Sequence, residues 1–438
     1  MLLGLGRHTL SSCLTTQGRA HLDWSADYRA YSAARLDPAA LFDGVLREAL
    51  AALPSSRRVW LAMDDSTLRK SGRAIPLTGW RRDPLSPPFA VNFQWGHRVL
   101  QTSLLWPENS GGARGLPVAF SILVNRLSPK EAAGVDLEAA REAGRQANVN
   151  HNAARQLKDL SQKIARPIVA AVDGRFANKT FLRALPPDCQ AVARLRKDAL
   201  LFHPPQKQDA PHANGRPRFY GQKAPRPEEL RQDESQPWQR VKAHAAGADH
   251  EIKIKTLPAL RSKMTGGLDC RLIVIAPLGY RLRQGSRLLY RQPAYLWVTD
   301  PKMSLEEAVQ GYVWRWEEEV NFRDEKTLLG VGQAQVRHAQ SVERVPAWQV
   351  AAYSALLWAG QSWSQEAGET RLPRPKWRAK EKPARASTAS LINQLRYDAW
   401  AEAIRPEALN GFWNQNPADQ KPLKPSATAP AAIFYSMG

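Results

Sequence analysis

The sequence predicts an α/β fold in which a mixed sheet with flanking helices is interrupted by a largely β insertion. Two short apolar runs, Val59 to Met63 and Ile168 to Val172, each stop at aspartate, which is typical of buried strands that carry polar groups at one end. Helical patterns alternate with these runs, which favours an α/β fold over an all-β fold. From 190 to 292, prolines and charges become frequent between strand-like runs, which predicts the insertion.

The elements before the insertion follow from periodicity and end signals. A helical N-terminal region contains one clear helix, Pro38 to Leu53, with Asp37 as its cap and proline at its first position. Further elements are predicted in chain order as a strand at 59–63, strands at 89–105 and 118–124, a helix at 136–165, a strand at 168–172 and a helix at 178–185.

The later elements continue the pattern. Strands are predicted at 250–256, 271–276 and 294–299, and the sequence Ser304-Leu305-Glu306-Glu307 predicts a capping box that opens the next helix. A further apolar helix is predicted after Pro346, and another from Ser387 to Ala403. Between Arg371 and Arg385, seven basic residues and three prolines predict a linker that could also track DNA, followed after the last helix by a flexible tail.

Composition favours a polyanionic partner. The 438 residues carry 62 Lys and Arg against 41 Asp and Glu, a net charge of +21, and phosphate neutralisation drives binding to such a surface. The three cysteines are far apart, which excludes a disulfide framework and a CxxC zinc site. We expect a cytoplasmic protein, because no apolar run is long enough for a signal peptide or a membrane span. No phosphate-loop motif is present, so no nucleotide cofactor is expected.

The sharpest chemical signal is the spacing Y-x2-R-x3-E-x6-K, formed by Tyr312, Arg315, Glu319 and Lys326. At roughly 100° per residue, these four side chains share one helix face, away from the neighbouring acids Glu317, Glu318 and Glu325. A carboxylate flanked by cations suits phosphodiester chemistry. A helix-surface ion pair between Arg315 and Glu319 is the simpler alternative, but it does not explain all four residues.

Two strand-end acids could join Glu319. Asp65 follows the first buried strand and Asp173 follows a central one. Three carboxylates suit two Mg²⁺ ions, with Mn²⁺ as a substitute, because hard cations prefer oxygen ligands and two ions can activate the attacking oxygen and stabilise the leaving one. For either aspartate alone, a turn or a helix cap is the alternative role.

The chain resembles insertion-sequence transposases of the DDE class in the group named for the YREK signature, the insertion-sequence-four superfamily. The signature from Tyr312 to Lys326, the strand ends at Asp65 and Asp173, and the β-rich insertion before Glu319 carry the resemblance. It implies a ribonuclease H-like core, with Asp65, Asp173 and Glu319 as the metal-binding triad. Tyr312, Arg315 and Lys326 would then hold the phosphate of a transposon end. Asp65 is preferred over Asp64 because hydroxyl residues follow it.

With this resemblance, five regions are expected. They are an N-terminal helical region with a candidate DNA contact (1–55), the first part of the ribonuclease H-like core (56–189), the β-rich insertion (190–292), the second part of the core with the signature helix (293–365), and a basic linker, helix and tail (366–438).

Other basic and aromatic residues are candidates for DNA contacts. Lys70, Arg194, Arg196 and Lys197 follow the predicted strands and could widen a DNA track, or they could be solvated surface. Trp238 or Trp297 could stack on a flipped base, although most tryptophans in apolar runs are better explained as core.

The sequence therefore predicts a cut-and-paste DNA transposase of the bacterial cytosol or nucleoid. Its partners would be double-stranded DNA with terminal inverted repeats and a target DNA, with a homodimer in the synaptic complex and no membrane. Two alternatives stay open, a catalytically silent DNA-binding protein derived from a transposase and a structure-specific nuclease of the same fold.

Overall fold

A computed structural model describes residues 1–400 except 34, 36, 84–85, 88, 207–217, 282–284, 367–371 and 373–384. Most of the basic segment predicted at 371–385, and the predicted tail, lie outside the described residues. Contacts divide the chain into two compact units. The first contains residues 1–45, 68–96 and 322–438, and the second contains residues 46–67 and 97–321.

Within the described residues the helices are α1 (Leu10–Thr16), α2 (Ser25–Ser32), α3 (Pro38–Ala51), α4 (Pro129–Ala133), α5 (Leu137–Gln146), α6 (Val149–Ile164), α7 (Lys179–Leu182), α8 (Pro227–Gln232), α9 (Leu305–Trp314), α10 (Trp316–Thr327), α11 (Ala339–Glu366) and α12 (Thr388–Trp400). The strands are β1 (Val59–Arg69), β2 (Gly79–Arg82), β3 (Phe93–Pro107), β4 (Ala113–Leu123), β5 (Ile168–Val172), β6 (Cys189–Arg194), β7 (Gln239–Ala245), β8 (Ala248–Leu260), β9 (Cys270–Ile275), β10 (Gly279–Tyr280), β11 (Leu289–Tyr290) and β12 (Ala294–Val298).

The second unit is built on a large mixed sheet. Its strand order is β3-β1-β5-β6-β12-β9-β8-β7, and β4 pairs with β3. β1, β5 and β6 are parallel, whereas β6, β12, β9, β8 and β7 pair antiparallel. Strands β7 to β9 of the predicted insertion therefore extend the sheet. The predicted fold class, a mixed sheet with flanking helices, is confirmed.

Both faces of the central strands are buried, as parallel strands require. On one face, Trp60 and Ala62 of β1 and Ala171 of β5 join a core cluster with Val309 of α9. The side chains of Val59, Leu61 and Met63 alternate to the other face and are also buried. One face of the sheet thus carries α9 directly.

Gly311 sets how closely α9 approaches this face. A Cβ atom at this position would overlap ring atoms of Trp60 on β1. Trp60 also packs edge-on against Trp314, with ring centroids 6.5 Å apart. The position of the end of α9 over β1 therefore depends on the missing side chain at Gly311.

The first unit combines helices with a short hairpin. Leu10 of α1 packs with Ala334 and with Val345 of α11, and the Arg344 side chain donates to the carbonyl of Tyr31. β2 pairs antiparallel with Phe93–Gly96, the first residues of β3. No helix among the described residues is long and apolar enough to cross a membrane.

Several predicted bounds were wrong. β1 does not stop at Met63 but runs to Arg69, so Asp64 and Asp65 lie within a strand. The stretch predicted as one helix at 136–165 is two, because Asn148 accepts from the N–H of Asn150 and caps α6. α11 starts at Ala339, seven residues before Pro346, and buries Val342 and Val345 ahead of the proline. The free energy gained by burying Val342 and Val345 exceeds the cost of the one helical hydrogen bond that proline removes.

Gly311→Ala should lower the thermal unfolding midpoint, because the new methyl group forces Trp60 or α9 to move and overpacking costs about 1–3 kcal/mol. Gly144→Ala is the matched control, since Gly144 lies in α5 and a Cβ atom added there would have no atom within 4 Å apart from the neighbouring backbone of its own helix. The control should raise stability by about 0.5–1 kcal/mol through helix propensity. Scanning calorimetry of both variants checks this, and equal shifts would contradict the packing at Trp60.

Candidate active site

The pairing of β1 with β5 decides which acids meet. The two strands are parallel, with Trp60 opposite Val169 and Met63 opposite Val172. One residue further, Asp64 lies beside Asp173, and neighbouring residues in register point to the same face of a sheet. Alternation places Asp64 on the face of Trp60 and Ala62, which is the face that α9 covers.

Arg315 lies between two of the acids. Its Nη2 donates to Glu319 Oε1 at 2.7 Å, and its Nη1 lies 3.8 Å from Asp64 Oδ2. Only 10% of its side chain is exposed, and its guanidinium carbon lies 5.6 Å from the centre of the Tyr312 ring. The guanidinium therefore connects the strand acid to the helix acid.

The signature helix is interrupted at this arginine. α9 ends at Trp314 and α10 begins at Trp316, while Arg315 keeps a right-handed conformation with φ −51° and ψ −27°. The N–H of Glu318 donates to the carbonyl of Arg315, a tighter turn than an α-helix. The prediction of one continuous helix was wrong at Arg315. The side chains of Arg315 and Glu319 nevertheless lie on the same side of the helix and are in contact.

The start of α10 is fixed against β3 and β4. Asn321 Nδ2 donates to Ser103 Oγ and to the carbonyl of Gly115, both at 3.1 Å. A Cβ atom at Gly115 would lie 2.8 Å from Asn321 Nδ2 and 2.9 Å from the Cβ of Glu317. The close approach of α10 to β4 requires glycine at position 115. The contacts of Asn321 hold α10 at a point two residues after Glu319.

The surroundings of Asp64 favour its protonated form. Burial and the nearby charge of Asp173 raise the pKa of Asp64 to about 7, against the opposing effects of Arg315 and the N–H of Asp65. Burial alone would lower the pKa of Arg315, but Tyr312, Glu319 and Asp64 together raise it above its usual value. Asp64 and Asp173 thus form a crowded acidic pair that a cation would stabilise.

Asp65 belongs to a different group of charges. Arg98 Nε donates to its Oδ2 at 2.8 Å, and Arg175 Nε lies 2.8 Å from its Oδ1. Its side chain is 9% exposed, and strand alternation turns it away from the face of Asp64 and Asp173. Asp65 is thus held by two arginines, whereas Asp64 is the aspartate in register with Asp173. Which of the two serves as the first acid of the site stays a prediction.

Arg98 and Arg175 were not anticipated from the sequence. Arg98 comes directly before the long buried stretch of β3, and Arg175 lies two residues after Asp173. The only signal in the sequence was the proximity of Arg175 to Asp173. The pairing of Arg175 with Asp65 on β1 becomes clear only once the strands are placed side by side.

The other candidate DNA contacts each have their own surroundings. Tyr312 is partly buried against the core cluster. Lys326 lies in the first unit, with Nζ 5.6 Å from the centre of the Phe322 ring. Arg194, Arg196 and Lys197 are exposed around the end of β6, and Arg196 pairs with Asp198. Contact of these residues with DNA stays a prediction.

Lys70 serves the first unit itself. Its Nζ donates to the carbonyls of Gly332 and Ala334, both at 2.7 Å, and burial lowers its pKa to about 8. Two of its three donors are thus used within the protein, which weakens its case as a DNA contact. Of the two tryptophans considered for base stacking, Trp297 is fully buried, so it cannot stack on a base. The ring of Trp238 lies 4.6 Å from Lys255 Nζ.

The donor set fits a divalent cation in part. Among the described residues, no group of three His, Cys, Asp or Glu side chains is arranged to hold a metal ion. Asp64 and Asp173 supply hard oxygen ligands whose mutual repulsion a cation would relieve. Glu319 instead pairs with Arg315, so it would join such a site only by leaving that pair.

Comparison with known proteins places the chain in a family. A family model described as DDE superfamily endonuclease matches residues 1–259, more than half of the chain. The matched part contains Asp64 and Asp173 and ends before α10. No curated protein matches the chain.

Without divalent cations, Asp64→Asn should stabilise the protein increasingly as pH rises from about 4 to about 7, with no further gain above it. The folded-state pKa of Asp64 is raised from 3.8 to about 7, so its stability contribution is present at low pH and lost through that window. The full difference is on the order of a few kcal/mol at about 1.4 kcal/mol per pKa unit. The difference in stability is measured by thermal unfolding of the variant and the wild type at a series of pH values, in buffer that contains a chelator.

Asp65→Asn is the matched neighbour and should act in the opposite direction. It removes the charged partner of Arg98 and Arg175, which costs about 2–3 kcal/mol at neutral pH. If the two variants shifted stability in the same direction at pH 8, the assignment of the two aspartates to different faces would be wrong.

Proposed function

Because the chain belongs to the DDE superfamily of endonucleases, we propose that it is a DNA transposase that cuts the ends of an insertion sequence and joins them to a target DNA. The observation that carries this proposal is the pairing of Asp64 with Asp173 on parallel strands, with Arg315 connecting Asp64 to Glu319. Carboxylates beside a buried arginine fork suit a phosphodiester more than any neutral substrate.

The proposed roles follow from the geometry. Asp64 and Asp173 would hold Mg²⁺, for which Mn²⁺ could substitute, and Glu319 would complete the set. Bound there, the ions would lower the pKa of the attacking water and stabilise charge on the leaving oxygen. When DNA enters, a phosphate would compete with Glu319 for the Arg315 fork, because both present paired oxygens. Release of Glu319 by this exchange would couple DNA binding to assembly of the metal site.

The remaining signature residues would position the DNA end. Tyr312 packs beside the guanidinium of Arg315 and would keep its fork oriented. Lys326, as a point charge on a long side chain, would contact a flanking phosphate. Two copies of the chain would hold the two inverted terminal repeats of one element, which accounts for the expected homodimer.

The chemistry needs two phosphoryl transfers. In the first, a water oxygen attacks phosphorus, the bond from phosphorus to the 3′ oxygen breaks, and a proton from the water returns to solvent while the 3′ oxygen gains one. In the second, that 3′-hydroxyl attacks a target phosphodiester and expels a target 3′ oxygen, so no bond energy from a nucleotide is required. One set of acids can serve both steps.

The decisive experiment uses a linear DNA carrying the coding region of this chain with its genomic flanks, incubated with Mg²⁺ or Mn²⁺. Wild type should release 3′-hydroxyl ends and join them to a second plasmid. Asp64→Asn, Asp173→Asn and Glu319→Gln should each reduce cutting by at least about 100-fold while binding persists, since each removes a proposed metal ligand. Glu306→Gln, an exposed acid in the first turn of α9, is the control and should cut normally.

The outcomes separate the competing functions. Cutting without joining identifies a nuclease of the same fold, and binding without cutting identifies a silent DNA-binding protein. Normal cutting by Asp64→Asn, combined with loss of cutting in a folded Asp65→Asn variant, would restore Asp65 as the first acid.

A further inference from the structure

The β2–β3 hairpin of the first unit carries an exposed aromatic face. Trp80 lies directly opposite Trp95, and Arg82 lies opposite Phe93, so these four side chains share one side of the hairpin. Trp80 is 58% exposed and Phe93 is 61% exposed. Large aromatic side chains at such exposure mark an interaction site when they are grouped. We call these four residues the hairpin face.

Arg73 holds the tryptophans of the hairpin face in place. Its guanidinium carbon lies 4.6 Å from the centre of the Trp80 ring and 4.5 Å from that of Trp95. The two rings meet edge to face at 5.6 Å, and Trp95 Nε1 donates to the carbonyl of Gly72 at 3.1 Å. Trp80 is thus fixed by cation–π and aromatic contacts while much of its ring surface remains open to solvent. A fixed ring loses little entropy when a ligand stacks on it.

The charge around the hairpin face favours an anionic ligand. Residues 69–96 contain five Lys and Arg but one acid, Asp83, whose Oδ2 lies 3.5 Å from Arg69 Nη2. Arg82 is exposed and forms no ion pair with any described residue. Trp80 and Phe93 are separated by about two residues along the strands, roughly 7 Å, with Arg82 beside them. Alternating π-faces and cations at this spacing match the bases and phosphates of one nucleic-acid strand.

We propose that the hairpin face binds unpaired nucleotides of a DNA strand, with bases stacked on Trp80 and Phe93 and a phosphate on Arg82. The choice of DNA rests on the proposed function. Duplex DNA does not suit this face, because its bases are already stacked and present only their edges. A partner protein could also pack on the aromatic rings, but an uncharged protein surface would not pair with the excess positive charge of residues 69–96.

The test is binding of a fluorescent oligo-thymidine strand, followed by anisotropy without divalent cations so that no cutting occurs. Trp80→Ala with Phe93→Ala should weaken single-strand binding at least fivefold, because stacking on one aromatic is worth about 1–3 kcal/mol per base. Duplex binding should change less than about twofold. Trp80→Phe, which keeps a ring, should restore most of the affinity. Tyr290→Ala, an aromatic on β11 that is 65% exposed, is the matched control and should bind as wild type.

Salt dependence separates stacking from charge. The aromatic variant should keep the wild-type slope of log affinity against log salt, whereas Arg82→Ala should reduce that slope by about 0.7, the value for one phosphate contact on a single strand. Unchanged single-strand binding in the aromatic variant, or equal loss on single strand and duplex, would overturn the proposal. A change in oligomeric state with unchanged DNA binding would identify the face as an interface between copies instead.

The result is independent of catalysis. If wild type fails to cut DNA but the aromatic variant loses single-strand binding selectively, the hairpin proposal stands and the transposase proposal fails. If wild type cuts and joins DNA but the aromatic variant binds single strands normally, the reverse holds.

Discussion

The register between β1 and β5 is the constraint on which the rest of the site depends. Because Met63 pairs with Val172, Asp64 comes beside Asp173 on the face covered by α9, and Asp65 is turned to the opposite face. A slip of one residue would exchange the two aspartates, since strand side chains alternate with period two. The apolar residues before them, buried on both faces, prevent that slip because it would also exchange their packing partners. Core packing therefore selects which aspartate serves as the candidate catalytic acid.

Arg315 supplies a positive charge next to the two aspartates that this register brings together. Burial of Asp64 raises its pKa most, and repulsion from the neighbouring charge of Asp173 raises it further. The guanidinium of Arg315 opposes both effects at Asp64 and also pairs with Glu319, so one cation serves two of the acids. The same contact prevents Glu319 from facing the aspartates as a ligand. In the proposed mechanism, a phosphate that competes for the guanidinium would release Glu319 from this pair.

The sequence predicted the local elements well and the long-range choices poorly. Ile168–Val172 was predicted with both of its bounds, because five apolar residues between a proline and an aspartate leave little ambiguity. The sequence favours Asp65 over Asp64 and the strand register favours Asp64, because alternation defines two faces of a strand but not which face a distant helix will cover. The break at Arg315 was missed for a similar reason, since a wheel assumes uniform helical geometry and the packing of Gly311 on Trp60 was not visible. Trp297 was considered for stacking although its position in an apolar strand indicated burial, which is what the structure has.

Some arginines of this chain are paired with carboxylates, and Arg73 packs on aromatic rings instead. This difference decides whether their charge remains available to a ligand. Arg98, Arg175 and Arg315 are paired with carboxylates, so their charge is largely cancelled and they orient acids. Arg73 is held by aromatic rings, which restrain a guanidinium without neutralising it. A surface that fixes its cations through π contacts keeps its positive field for an incoming phosphate. The net charge of +21 therefore matters for recognition mainly where acids are scarce, and residues 69–96 are such a place.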